Sequence, residues 1–123
     1  MDLKSHRDLQ VWKSSMDLVV AVYKLTGIFP TVEKYGLSSQ LQRSVVSVPA
    51  NIAEGYGRRH PKDYMRFLSI AHGSLLEAET HLLIALRLGY ITREDLGEIW
   101  NLIQDVGKML VGLRRAIIKK SEA

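Results

Sequence analysis

The chain has 123 residues, no cysteine and a formal net charge of +4. That length fits one domain spanning 1–123, large enough to bury a core without disulfides or metal, and the lack of cysteine excludes a disulfide framework or a Cys-based zinc site and suits a reducing, cytoplasmic compartment. The N-terminal MDLKSHRDLQ lacks the apolar core of a signal peptide, and the longest near-apolar run, Leu82 to Leu88, is broken by Arg87 and far too short to span a bilayer.

Glycine and proline punctuate the chain at Gly27/Pro30, at Gly55/Gly57/Pro61 and at Gly89. Between these breaks the apolar spacing is helical, and no segment sustains a period of two. A first helix is predicted from about Asp8 to Thr26. Leu9, Trp12, Met16, Val19 and Tyr23 form one stripe, and Val11, Leu18, Val22 and Leu25 a second. Two stripes make a face wider than one antiparallel partner covers, so part of it is expected to lie between subunits.

A second helix is predicted from about Leu37 to Tyr56, with Leu41, Val45, Val48, Ile52 and Tyr56 on one face. Pro49 removes the bond to the Val45 carbonyl, which predicts a kink near Val45–Pro49, supported by close packing of Ala50 and Ala53. The third helix starts at Pro61, a residue suited to a first helical position, and ends near Leu88 with Gly89 as its cap. Tyr64, Leu68, Ala71, Leu75, Ala78, Leu82 and Ala85 repeat as a heptad in which alanines permit close helix approach. The fourth helix is capped by Thr92, with Asp95 three residues on. Leu96, Ile99, Ile103, Val106, Leu110, Leu113 and Ile117 line its apolar face, over roughly 40 Å. Short connections then predict an all-α, antiparallel, up-down-up-down four-helix bundle.

Residues able to carry chemistry are few. A carboxylate di-iron site in a bundle needs two Glu-x-x-His motifs and two further glutamates. Here Glu77 and Glu79 precede His81 at spacings of four and two, and no Glu-x-x-His occurs. We read them as polar surface or interface residues, and expect no metal and no cofactor. No serine lies in a Gly-x-Ser-x-Gly elbow, and His6, His60, His72 and His81 are scattered without an evident orienting partner. Gly55-Tyr-Gly57 lacks the Lys-Ser/Thr and the preceding strand of a phosphate loop, and reads as a flexible helix end. No catalytic residue is assigned.

If the second and third helices form a hairpin turning near Arg59–His60, facing residues have numbers that add up to about 120. Arg43 then faces Glu77, and Glu54 faces Arg66. One or both pairs are expected to form inter-helix ion pairs that fix the register, with Asn51 and Ser69 nearby.

Basic residues cluster twice. Arg58, Arg59, Lys62 and Arg66 surround the second turn, with His60 among them and Tyr56 and Tyr64 flanking. Lys108, Arg114, Arg115, Lys119 and Lys120 follow in the fourth helix. Such residues beside aromatics can contact phosphates and stack on bases. The two clusters are expected at opposite ends of the bundle, joined only along a long face or by neighbouring subunits.

The runs RDLQVWKSSMDLVVAVYKLTGIFP and YGLSSQLQRSVVSVPANIAEGYGRR, followed by the Tyr64–Gly89 segment with SLLEAETHLLIALRLGYI, carry a resemblance. Over roughly residues 7 to 118 the chain resembles the bacterial four-helix-bundle family encoded by intervening sequences in large-subunit ribosomal RNA genes, often labelled ribosomal-protein-like. The QLQRSVVSVPANIAEGYGR block is specific to it. Relatives include the accessory variability determinant of diversity-generating retroelements, which works with a reverse transcriptase. The resemblance implies a homopentameric, barrel-like assembly with a basic surface, and carries over no catalytic residue. Two functions fit: binding of RNA or DNA through the basic residues, or a protein–protein adaptor, for example for a reverse transcriptase.

Overall fold

The computed structural model describes residues 4–122, so Met1, Asp2, Leu3 and Ala123 of the expected 1–123 domain, and the start of the N-terminal segment read above, lie outside the described residues. Four helices account for most of the chain: α1 (Gln10–Thr26), α2 (Leu37–Tyr56), α3 (Pro61–Arg87) and α4 (Arg93–Glu122). Among the described residues each helix packs against its two neighbours around the bundle, α2 and α3 most extensively, and not against its diagonal. The end of α1 lies beside the start of α4, around Leu25 and Asp95, so the first and last helices are antiparallel too.

Local chemistry sets the helix ends. α1 starts two residues later than predicted because Asp8 is used elsewhere. Its carboxylate accepts from the Lys4 and Ser5 amides at 2.9 and 3.2 Å, closing a short 3-10 turn over His6–Asp8. Leu9 follows in extended backbone and precedes the helix. Gly89 takes φ +77, the left-handed conformation that glycine adopts without a Cβ penalty. The Tyr90 amide then reaches the Ala85 carbonyl (3.0 Å) and the Gly89 amide that of Leu86 (3.1 Å), a Schellman closure of α3. Thr92 and Asp95 form the predicted reciprocal cap on α4, with bonds of 2.9 and 3.1 Å.

The core follows the apolar stripes. Leu41, Val45, Val48 and Ile52 are fully buried, as are Leu68, Ala71, Ala78, Leu82 and Ala85. On α4 the buried run extends from Leu96 to Leu110, and Leu113 and Ile117 are half-buried where the core thins. At 30 residues α4 is about 45 Å long. The two stripes of α1 separate: Val11, Leu18, Val22 and Leu25 are buried, whereas Met16 and Tyr23 are 39% and 47% exposed.

Helix α2 runs unbroken through Pro49, which is itself buried. The close packing expected of Ala50 and Ala53 falls elsewhere: Ala50 is exposed and Ala53 half-buried. The tight contact is at Gly55, where a Cβ would stand 3.0 Å from Phe67 Cβ and 3.0 Å from Tyr64 Cδ1. Gly55 is therefore a crossing point of α2 and α3 rather than a flexible helix end.

The predicted hairpin register holds, but the ion pairs do not form. Ser74 lies opposite Ser47, their hydroxyls 2.8 Å apart, and the Tyr64 ring meets that of Tyr56 edge-on. Asn51 joins this seam by donating to the Ser47 carbonyl and hydroxyl. Glu54 instead pairs with Arg58 one turn on, at 3.6 Å, and Glu77 approaches His81 at 3.4 Å. Arg66 sits over the Phe67 ring, and neither Arg43–Glu77 nor Glu54–Arg66 occurs among the described ion pairs. The reason is angular. Successive helical residues differ by about 100° around the axis. Gly55 occupies the seam, so Glu54 is swung out to solvent.

Candidate functional site

The two basic clusters meet at one end of the bundle, contrary to expectation. A cleft of about 400 Å³ is lined by Arg58, Arg59, His60 and Tyr64 from the α2–α3 turn and by Ile117, Lys120 and Ser121 from the end of α4. The reason is topological: α2 and α4 run in the same direction, so both finish at the same end.

The local fold builds the cleft's floor. His60 precedes α3 in extended backbone, and its Nδ1 accepts from the Lys62 amide at 3.2 Å. That bond occupies Nδ1 and leaves Nε2 for another partner. Burial pushes the Tyr64 phenol up to about 12, so its hydroxyl stays protonated and remains a donor. The guanidiniums of Arg58 and Arg66 each lie 4.7 Å from the centre of the Phe67 ring, and of the two only Arg58 lines the cleft. Arg58 also meets Glu54, but both side chains are about half exposed, at 44% and 58%, so this pair is weak and readily exchanged for another anion.

The other predicted basic residues are distributed differently. Lys108 and Arg115 line a separate groove of about 450 Å³ between α3 and α4, with His72, Glu79 and Gly107. Lys62 and Lys119 are exposed outside both, and Arg114 is half-buried. Sequence reasoning missed Phe67, Ile117 and Ser121 as parts of the basic end. Only Phe67 offered a signal, as an aromatic next to Arg66. At the far end of the bundle, Glu94, Asp95 and Glu98 gather beside Lys24 in a third groove.

His81 is buried, with Glu77 as its neighbour. Among the described residues no group of three or more His, Cys, Asp or Glu is placed to hold a metal ion. Nor is any helix long and apolar enough to cross a membrane among them.

The family model described as "23S rRNA-intervening sequence protein" matches residues 7–112. No curated protein matches the chain. Among the solved structures that match is a protein of unknown function from the S23 ribosomal protein family of Bacteroides thetaiotaomicron VPI-5482. It is 29% identical, superposes with a TM-score of 0.76, and the match covers 85% of this chain and 97% of that one.

Proposed function

The chain belongs to the 23S rRNA-intervening sequence protein family, and we propose that it is a non-enzymatic, cytoplasmic binding protein for RNA or DNA. The observation that carries this reading is the convergence of Arg58, Arg59 and Lys120 on one cleft. Three cations on one surface suit a polyanion, and each phosphate neutralised releases condensed counterions. The test is binding of the purified protein to structured RNA and duplex DNA across a salt series, with the assembly mass measured in the same buffer. Micromolar or tighter binding that falls steeply with salt supports the reading, and no binding at low salt overturns it.

The active form is a homo-oligomer, a pentamer by family resemblance. The exposed apolar side chains of Met16, Val20 and Tyr23 on α1, with Val46 of α2 beside them, support this, since water-facing apolar rows are better covered by another subunit. The same row favours the second reading, an adaptor for a nucleic-acid enzyme such as a reverse transcriptase. That reading is preferred if the protein lacks intrinsic nucleic-acid affinity.

A further inference from the structure

We infer that the cleft between the α2–α3 turn and the end of α4 takes one unpaired nucleotide of a nucleic-acid strand, so that the protein prefers single-stranded to duplex ligands. The inference rests on the nucleic-acid reading above and specifies its ligand. Size is the first ground. A volume of about 400 Å³ lies at the lower end of the range for small-ligand pockets, enough for one nucleotide. A duplex keeps its bases stacked inside and offers such a cleft only its phosphates, leaving the apolar interior unfilled.

The lining is the second ground. Charge alone would call for a flat basic surface, but this cleft adds the Tyr64 ring and the Ile117 side chain. Tyr56 braces Tyr64 edge-on, its ring centre 6.3 Å away and nearly perpendicular at 86°. A braced aromatic is a stacking platform for a base, and base stacking on aromatics tolerates any sequence. Around that apolar part stand Arg58, Arg59 and Lys120, with His60 among them. These can hold the phosphates on either side of an inserted nucleotide. Among the described residues the negative charges nearby are few and exposed: Glu54 on Arg58, Asp63 in the first turn of α3 and Glu122 at the end of α4.

The test compares a single-stranded RNA of about 12 nucleotides with the blunt duplex of the same sequence, by fluorescence anisotropy at one salt concentration. Ser121→Leu is the diagnostic variant. It lies in the exposed last turn of α4, so it leaves the core intact, and it fills part of the cleft without altering charge or adding a ring. The single strand is expected to bind more tightly than the duplex. Ser121→Leu should weaken the single strand by roughly fivefold or more and leave the duplex unchanged. Adenosine 5′-monophosphate should compete with the strand more effectively than with the duplex, which shares only the phosphate contacts. Equal affinities with a silent Ser121→Leu would overturn the inference while leaving general nucleic-acid binding in place. No binding of either ligand would remove both.

Discussion

The Tyr90 hydroxyl donates a 2.7 Å hydrogen bond to Oε2 of Glu33, tying the α3–α4 turn to the α1–α2 connection. The other oxygen of the same carboxylate accepts from the Leu37 amide at 3.1 Å and so caps the start of α2. Both bonds favour the ionised carboxylate. The Tyr90 bond foremost, then the Leu37 amide, holds the Glu33 carboxyl below its ordinary value. Glu33 in turn pushes the Tyr90 phenol up.

The pH dependence follows from these directions. A carboxyl lowered in the folded state contributes stability above its unfolded pKa, and that contribution is lost as pH falls through the folded value. A phenol raised in the folded state contributes below its unfolded pKa, and that contribution is lost as pH rises through the folded value. Tyr90→Phe is therefore expected to lower Tm at neutral pH. The gap from wild type should close on acidification through the lowered Glu33 value. Thermal melts of both proteins from neutral to acid pH check this; a gap that does not change with pH would rule out the Glu33 linkage.

Gly55→Ala is expected to destabilise the fold by about 1–3 kcal/mol, despite alanine's better helix propensity. The added methyl would meet Tyr64 and Phe67 at 3.0 Å and the Tyr64 carbonyl at 3.2 Å. Chemical denaturation reads the effect directly. A stabilised variant would show that α2 and α3 can separate there without loss.

Three other helical glycines should behave oppositely. A Cβ at Gly73, Gly97 or Gly112 would meet nothing within 4 Å. Each Gly→Ala change is expected to raise stability by about 0.5–1 kcal/mol through the lost freedom of the unfolded chain. Calorimetry paired with a mass measurement separates two effects. A lower assembly mass in any variant would locate a neighbouring subunit against that glycine.

Ser47 and Ser74 form the polar rivet of the α2–α3 seam. Either alanine substitution should cost about 1 kcal/mol, because it leaves its partner to find another bond. The double variant should cost less than the two single changes combined. Strict additivity in a double-mutant cycle would mean that the bond contributes nothing.

Charge reversal should sort the basic residues by place. Arg58→Glu and Arg59→Glu are expected to weaken nucleic-acid binding for all sequences alike, and to reduce the salt slope by about one for each phosphate left without its cation. Lys108→Glu, in the other groove, should leave binding nearly unchanged. Equal losses at Lys108 and Arg58 would favour a diffuse basic surface over the cleft.

Most of the fold was legible because helix ends and faces are local properties. The Thr92–Asp95 cap, the Gly89 terminus and the apolar faces of α2 to α4 all follow from spacing within one helix. Even the α2–α3 register could be read, from the position of the turn. The side-chain pairs could not, because a one-residue difference such as Glu54 against Gly55 moves a group from solvent to seam. The site was divided in the sequence because its halves are separated by the whole of α3. Only the shared direction of α2 and α4 brings Arg59 to Lys120.

Helix α4 begins with Arg93, Glu94, Asp95 and Glu98, which leave its first turns net negative, and finishes with Arg114, Arg115, Lys119 and Lys120, which outnumber Glu122. Each end matches the partial charge of the helix terminus it occupies. At the far end of the bundle Glu33, Glu94, Asp95 and Glu98 stand with Lys24, Lys34, Arg87 and Arg93, so the asymmetry along the bundle axis is a basic end against a balanced one. In the field of a polyanion that asymmetry would produce a torque before any contact and turn the basic end forward. Encounters with such a ligand would be oriented before they become collisions, an advantage that dissolved salt erodes over about 8 Å at physiological strength.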